Sequence, residues 1–209
     1  MKDVGKHFLL CGLFLLGFSS TAQADDLTQL LEKGAVARVD VDANGRFDAV
    51  VSVVDVAVPA EFLWAVLTDF ASYRFFVPRV SEVTVTPSST PGTVEVKWSL
   101  DTPLVSTRYK NANVLDAVNR LMTARTVEGD MVGSRYQWQI VVLGDKKCRM
   151  FHTAWPRNMN GIVDTLDDKQ QTLTIGVAVS TVMATVRALK IRAEILQRSR
   201  KSTVVVSPP

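Results

Sequence analysis

The sequence is poor in cysteine and histidine, with two of each among 209 residues. Cys11 lies in an N-terminal apolar run that we expect to be removed from the chain. Cys148 is then left without an intramolecular partner, so we expect no internal disulfide. We predict that Cys148 is a small apolar core residue. His7 also lies near the N-terminus, which leaves His152 alone and excludes a histidine-rich metal site. We expect neither a metal nor a bound cofactor.

An excess of charge of one sign is also lacking. Lys and Arg number 24 against 21 Asp and Glu, and residues 1–24 account for +1 of the net +3. A remaining bias of about +2 is too weak to indicate a nucleic-acid partner. The hydrophobic share of 47% is ordinary for a globular protein. The length suits one domain, and we expect a monomer.

The longest apolar run stands at the N-terminus. Lys2 and Lys6 precede the run Phe8 to Phe18, and Ala22-Gln23-Ala24 follows it. The run is shorter than the roughly 20 residues that span a bilayer. This order is typical of a secretory signal peptide, so we expect cleavage after Ala24 and a periplasmic or secreted protein. An uncleaved N-terminal anchor is the alternative.

The rest of the chain starts with a predicted helical lead-in at residues 25–34, which Gly34 ends. Ala35 to Asp42 alternates apolar and polar residues, and Arg46 to Val58 is rich in β-branched residues. Asn44-Gly45 between them predicts a β-hairpin.

Residues 59–67 and 69–76 then have the four-residue spacing of two short helices, with Pro59 in a first helical turn. Strand patterns follow in succession. The predicted strands are Val80 to Pro87, Thr93 to Asp101, Thr107 to Ala117, Leu121 to Val127, Gly133 to Leu143 and Lys147 to Trp155. Short loops between them predict an antiparallel meander.

After these strands, Ile162 to Leu166 suggests a helical turn, and Thr172 to Arg198 is one long predicted helix. The front half of this helix is apolar nearly all round and must be covered. Residues 201–209 are predicted to be a loose tail. Helices segregated from an antiparallel sheet define an α+β fold.

The stretch Val54 to Val85, VDVAVPAEFLWAVLTDFASYRFFVPRVSEVTV, resembles the START-like (SRPBCC) superfamily, in its polyketide cyclase and coenzyme Q-binding branch. The shared features are a helix that opens with proline, a Trp-x-x-Leu-x-Asp run and an aromatic-rich segment before the next strand. These positions are Val58, Pro59, Trp64, Leu67, Asp69, Phe70, Tyr73, Phe76, Pro78 and Val80. The stretch Thr102 to Tyr109 is similar to one in lipid-transfer members, except that Arg108 and Tyr109 are adjacent here.

This resemblance implies a helix-grip fold over residues 35–200, in which a curved antiparallel sheet wraps around the long C-terminal helix. It also implies an apolar cavity between them that binds or carries a lipid or other hydrophobic small molecule. The mouth elements would be Thr68–Phe76, Thr102–Ser106 and Asn158–Gln171. A cyclase or aromatase acting in the same cavity, and an interaction module with a filled core, are the alternatives. The sequence favours a binder over an enzyme.

Aromatic residues on the predicted strands are candidates for the cavity wall. They are Trp98, Tyr109, Tyr136, Trp138, Phe151 and Trp155, and Val179 and Met183 are candidates on the long helix. For each aromatic residue, plain core packing is the alternative.

Asn111 and Asn113 alternate with Tyr109 on one side of a strand. If that side is inward, a ligand or water would supply partners for the amides, since a buried amide without one costs about 1–3 kcal/mol. The pattern leaves an inward and a solvent-facing side equally open. His152 is either a general base or a structural histidine, and no G-x-S-x-G elbow accompanies it.

The end of the chain is basic. The residues concerned are Arg187, Lys190, Arg192, Arg198, Arg200 and Lys201. Cations near a helix C-terminus are favourable without any function. The functional alternative is transient contact with an anionic membrane surface.

Overall fold

The computed structural model describes residues 21–101, 106–157 and 168–204. Helix α1 (Thr21–Lys33) leads into a hairpin of β1 (Val36–Val41) and β2 (Phe47–Val56). Helix α2 (Ala60–Thr68) and a 3₁₀ helix (Phe70–Phe75) follow. The remaining elements are β3 (Val80–Pro87), β4 (Thr93–Asp101), β5 (Ser106–Asp116), β6 (Leu121–Gly129), β7 (Arg135–Gly144), β8 (Lys147–Trp155) and α3 (Asp168–Val204).

The predicted hairpin is confirmed, and its turn has a local cause. The Asp42 carboxylate accepts hydrogen bonds from the backbone N–H groups of Asn44 and Arg46 at 2.8 and 2.9 Å. Gly45 has φ +74°, a conformation that glycine adopts without steric cost. The turn therefore sets the register in which Val39 lies opposite Val50.

The strands form one curved eight-stranded sheet in the order β1-β2-β8-β7-β6-β5-β4-β3. Strands β3 to β8 are an antiparallel meander, as predicted, and β8 closes back onto β2. Because β2 and β3 lie far apart in the sheet, α2 and the 3₁₀ helix must cross between them. This is the α+β helix-grip arrangement.

Helix α3 packs against β1, β2 and α2. Its buried side carries Val182, Val186, Leu189 and Ala193, and the last three have no exposed surface. These residues share one hydrophobic cluster with the inward side chains of the sheet and of α2. The β-branched front half of α3 is helical, as predicted. The expectation that this half is the buried one is wrong, because Ile175, Val177 and Val179 are only partly buried, whereas the residues without exposed surface lie further along the helix.

Polar contacts fix the second half of α3 to the end of β2. Lys190 Nζ donates a hydrogen bond to the backbone oxygen of Asp55 at 2.8 Å. The backbone N–H of Ala57 donates to Glu194 Oε1 at 3.0 Å, and Glu194 also pairs with Lys190. We call Asp55, Ala57, Lys190 and Glu194 the helix clamp.

Cys148 is fully buried, as predicted, and burial raises its pKa to about 11. Several helix boundaries differ from the prediction, among them the start of α3, which lies at Asp168 instead of Thr172. Helix α1 starts at Thr21, and α3 continues to Val204, so the predicted loose tail at 201–209 is helical in its first part. No glycine or proline stands between Arg198 and Ser207 to stop the helix.

The predicted helical turn at Ile162 to Leu166 and the end of the predicted tail, residues 205–209, lie outside the described residues. No helix in the described part of the chain is long and apolar enough to cross a membrane.

Gly129 stands where β6 passes close to β5. It has φ +89°, and an added Cβ would lie 2.7 Å from the Cα of Tyr109 and still closer to the Arg108 carbonyl oxygen. Strain at positive φ and overpacking together should lower the free energy of unfolding of Gly129→Ala by about 2–4 kcal/mol. Urea unfolding followed by circular dichroism measures this change.

Gly144→Ala is the matched control, because an added Cβ there meets nothing within 4 Å. We expect its free energy of unfolding to stay within about 0.5 kcal/mol of the wild type. Equal unfolding midpoints for the two variants would contradict the described approach of β5 to β6.

Candidate functional site

Strand pairing collects polar side chains on the face of the sheet that shares its core with α3, which we call the concave face. Asn111 lies opposite Thr126, and Trp138 lies opposite His152, which in turn lies opposite Ser52. Because side chains alternate along a strand, these residues all point to the same side. The buried polar residues of the described chain are Ser52, Asn111, Asn113, Thr126, Ser134 and His152.

On β5, Asn111 and Asn113 face inward and not toward solvent, and they are 6% and 2% exposed. Asn113 Nδ2 donates hydrogen bonds to the backbone oxygens of Val94 at 3.0 Å and Asn111 at 3.3 Å. Thr126 Oγ1 donates to Asn111 Oδ1 at 2.8 Å. The two amides are thus held in fixed orientations by their neighbours.

His152 is buried against the indole of Trp138. The two rings stack with centroids 3.7 Å apart and planes 21° apart, and the Tyr136 ring lies nearly parallel at 6.4 Å. Burial lowers the pKa of His152 to about 3, so the imidazole is neutral near pH 7. Its Nδ1 atom is buried, and no described group forms a hydrogen bond with it.

Trp98 carries the second buried atom of this kind, since its Nε1 also has no hydrogen-bond partner among the described residues. Its ring makes edge contacts with Phe70 and Tyr73, at centroid distances of 6.1 and 5.3 Å. The Tyr73 hydroxyl donates to the Leu67 backbone oxygen at 2.7 Å. These contacts dock the 3₁₀ helix onto β4, so the Trp98 indole is held in place.

Tyr109 and Tyr136 add neutral hydroxyl groups on the same face. Burial, together with the nearby Tyr136, raises the pKa of Tyr109 well above its usual value. Burial raises the pKa of Tyr136 to about 12, although hydrogen bonding to Thr126 and Ser134 acts in the opposite direction. Both phenols are therefore uncharged at any physiological pH.

The prediction that Phe151 and Trp155 line the cavity between the sheet and the long helix is wrong. On β8 the buried inward residues are Cys148, Met150, His152 and Ala154. Phe151 and Trp155 occupy the alternate positions and point to the opposite, convex face. There the guanidinium of Arg135 lies 5.3 Å from the Trp155 ring.

The other predicted residues lie as follows. Trp98, Tyr109, Tyr136 and Trp138 are on the concave side with the two asparagines. On α3, Val179 and Met183 are partly buried, and Val179 packs against the core cluster.

Of the predicted mouth elements, Thr68–Phe76 is described. Residues 102–105 and 158–167, within the other two elements, lie outside the described residues. Sequence reasoning missed Ser52, Thr126 and Ser134 as members of the polar set. Their signal is a hydroxyl residue at an inward position of an otherwise apolar strand face, which can be read only once the register is known.

No group of three metal-binding side chains comes together among the residues that the structure describes. The buried polar side chains of the described residues are hydroxyls, amides and an imidazole, and they lie among aromatic and aliphatic side chains. Such a surface can hold and orient an uncharged molecule that is mostly apolar.

A family model described as polyketide cyclase / dehydrase and lipid transport matches residues 56–166. The match covers more than half of the chain, and the protein belongs to this family. A comparison with curated protein sequences found no match.

Solved structures share the fold. The Zhui aromatase/cyclase from Streptomyces sp. R1128 superposes with a TM-score of 0.62 at 21% identity, over 70% of this chain and 93% of that one. A START superfamily protein from Mycobacterium smegmatis gives 0.56 at 18% identity, over 71% and 99% of the two chains. A norcoclaurine synthase point mutant from Thalictrum flavum, in complex with a transition state analogue, gives 0.54 at 12%, over 78% and 98%. At these identities the similarity establishes the fold alone.

The buried histidine predicts a pH dependence of stability. The unfolded chain binds a proton at His152 near pH 6.5, whereas the folded chain binds it only near pH 3. The unfolded state therefore binds more protons between these values, and the free energy of unfolding falls as the pH is lowered through this range. One such group contributes about 2 kcal/mol of this fall between pH 7 and pH 5.

His152→Gln removes this titration. We expect the free energy of unfolding of the wild type, minus that of the variant, to fall by about 2 kcal/mol from pH 7 to pH 5, as measured by urea unfolding. Parallel pH profiles for the two proteins would show that His152 is not buried in its neutral form.

Proposed function

We propose that the protein binds an uncharged, largely hydrophobic small molecule between the concave face of the sheet and α3. The observation that carries this proposal is the pair of buried ring nitrogens, His152 Nδ1 and Trp98 Nε1, without partners among the described residues. A buried polar atom left unpaired costs about 1–3 kcal/mol. A ligand with hydrogen-bonding groups at these positions would remove that cost. Membership of a family that includes lipid transport supports the proposal.

The character of the lining argues for a ligand without charge in its buried part. The buried polar side chains of the described chain are hydroxyls, amides and a neutral imidazole, with no Lys, Arg, Asp or Glu among them. Moving a carboxylate or phosphate away from water without a counter-charge is far more costly than moving a neutral group. A carbonyl, hydroxyl or ring heteroatom on an apolar skeleton suits these partners better.

Binding strength would come from the apolar walls and selectivity from the polar set. Met122, Trp138, Ile140 and Val182 are among the side chains of the shared cluster. Each Å² of apolar ligand surface that leaves water contributes about 25 cal/mol. The Nε1–H group of Trp98 can only donate a hydrogen bond. The Nδ1 atom of a neutral imidazole either donates or accepts one, according to the tautomer.

Catalysis in the same space is the alternative. A general base is most effective when its pKa is near the working pH. The pKa of His152, at about 3, makes it a poor proton acceptor near neutrality. This observation favours binding over acid–base chemistry at His152. A protein-interaction module with a filled core is the remaining alternative, and it leaves the two ring nitrogens unexplained.

Ligand occupancy tests the proposal. Native mass spectrometry of the protein purified from its own host should show an added mass that extraction with organic solvent releases. Trp98→Phe and His152→Phe each remove one ring nitrogen while keeping an aromatic ring. Each should lower the affinity for the released molecule about tenfold, which corresponds to one lost hydrogen bond.

Trp155→Phe is the matched control, because it makes the same change on the convex face and should bind as the wild type does. An empty wild-type protein, or an equal loss in all three variants, contradicts the proposal. A released molecule that the protein chemically converts would favour the enzyme instead.

We also propose that the protein is exported and that residues 1–24 are removed. The charged start, the apolar run and Ala22-Gln23-Ala24 support this. The cut would fall in the first turn of α1 and leave Asp25 and Asp26 at the new helix N-terminus, where carboxylates are favourable.

Intact mass measurement of the protein from the periplasm or medium of its host tests export, and it should give a chain that starts at Asp25. Replacing Ala22 and Ala24 together by bulky residues should block this processing. A full-length chain confined to the cytoplasm contradicts the proposal.

A further inference from the structure

A groove lies between α2 and the C-terminal part of α3, and we call it the α2–α3 groove. Its volume is about 680 Å³. The apolar lining consists of Pro59, Phe62, Ala65, Val66, Phe76 and Leu196. The polar lining residues are Glu61, Asp69, Arg192, Ser199 and Arg200. The groove is therefore amphipathic, with an apolar floor and two arginines at its side.

Three arginine–phenylalanine pairs lie in and beside this groove. The guanidinium of Arg200 lies 4.7 Å from the Phe62 ring, and that of Arg192 lies 5.7 Å from Phe76. Just before Phe76 in the chain, the guanidinium of Arg74 lies 4.5 Å from the Phe75 ring. Stacking occupies the face of a guanidinium group and leaves its N–H donors free to bind an anion.

The charges around these pairs are unbalanced. In the described part of the chain, no carboxylate lies within ion-pair distance of Arg74, Arg192 or Arg200, whereas Glu61 is paired with Arg120 at 2.8 Å. Asp69 is the remaining carboxylate of the groove lining, and it is exposed. The surface therefore has an excess of positive charge.

Phe75 gives this surface an apolar projection, because 70% of it is exposed. Its neighbours on the 3₁₀ helix are fixed, since Phe70 and Tyr73 pack against Trp98. An exposed aromatic ring on a fixed segment that also carries an arginine suits the boundary between lipid head groups and acyl chains.

We propose that the α2–α3 groove and Phe75 dock the protein on the surface of an anionic phospholipid bilayer. Arg74, Arg192 and Arg200 bind lipid phosphates through their free N–H donors, in the planar geometry that arginine favours for phosphate. Phe75 enters the interface beside them. The structure also divides the basic end of the chain, since Lys190 belongs to the helix clamp while Arg192 and Arg200 line the groove. This docking does not depend on whether a ligand is bound between the concave face and α3.

Vesicle co-sedimentation tests the proposal on the processed chain that starts at Asp25, because the apolar run Phe8 to Phe18 would bind lipid by itself. The protein should bind vesicles of phosphatidylcholine mixed with phosphatidylglycerol, and added salt should weaken the binding. The triple variant Arg74→Gln, Arg192→Gln, Arg200→Gln should lower the partition coefficient about a hundredfold. Phe75→Ala should lower it about tenfold.

The matched control is Arg46→Gln, Arg125→Gln, Arg135→Gln. It removes the same charge from exposed sites elsewhere and includes Arg135, which stacks on Trp155. This control should retain most of the binding. Since Phe75 is exposed, Phe75→Ala should keep the wild-type unfolding midpoint, so its binding result stands even if the triple variant is unstable.

Three results would overturn the proposal. The first is equal binding to pure phosphatidylcholine vesicles, or no binding to either kind. The second is an equal loss in the triple variant and its control. The third is a dimer, seen by light scattering, that the triple variant converts to a monomer, because the groove would then be an interface between two copies of the chain.

Discussion

Hydrogen bonding on the concave face is the requirement on which the rest of the structure depends. The meander places hydroxyl, amide and imidazole groups among apolar side chains, where each must find a partner or destabilise the fold. Asn111, Asn113 and Thr126 meet this requirement among themselves and with the backbone. His152 Nδ1 and Trp98 Nε1 do not meet it within the described residues.

The scaffold holds this face in a fixed geometry. The helix clamp joins α3 to the end of β2, and the buried side of α3 packs on the same cluster as Trp138. The 3₁₀ helix orients Trp98 from one side and presents Phe75 on the other. The concave face and the proposed docking surface are therefore connected through one short segment.

Local patterns were enough to predict most of the fold. Asn44-Gly45 set the hairpin, alternation set the strands, and length identified α3 as a helix in spite of its β-branched front half. The site depends on long-range pairing and was harder to predict. On β8 both faces carry large apolar residues, so alternation alone did not separate Met150 and His152 from Phe151 and Trp155. Asn111 and Asn113 had the same ambiguity until the pairing of β5 with β6 placed Asn111 opposite Thr126. The α2–α3 groove combines residues more than 100 positions apart, which no local pattern reveals.

The most direct test of the central claim is a high-resolution crystal structure of the protein purified from its own host without removal of bound lipids. We expect ordered density for a neutral ligand, with hydrogen-bonding atoms within about 3.2 Å of His152 Nδ1 and Trp98 Nε1. A structure in which the protein's own side chains close the space between the concave face and α3, and supply partners to both nitrogens, would contradict ligand binding there.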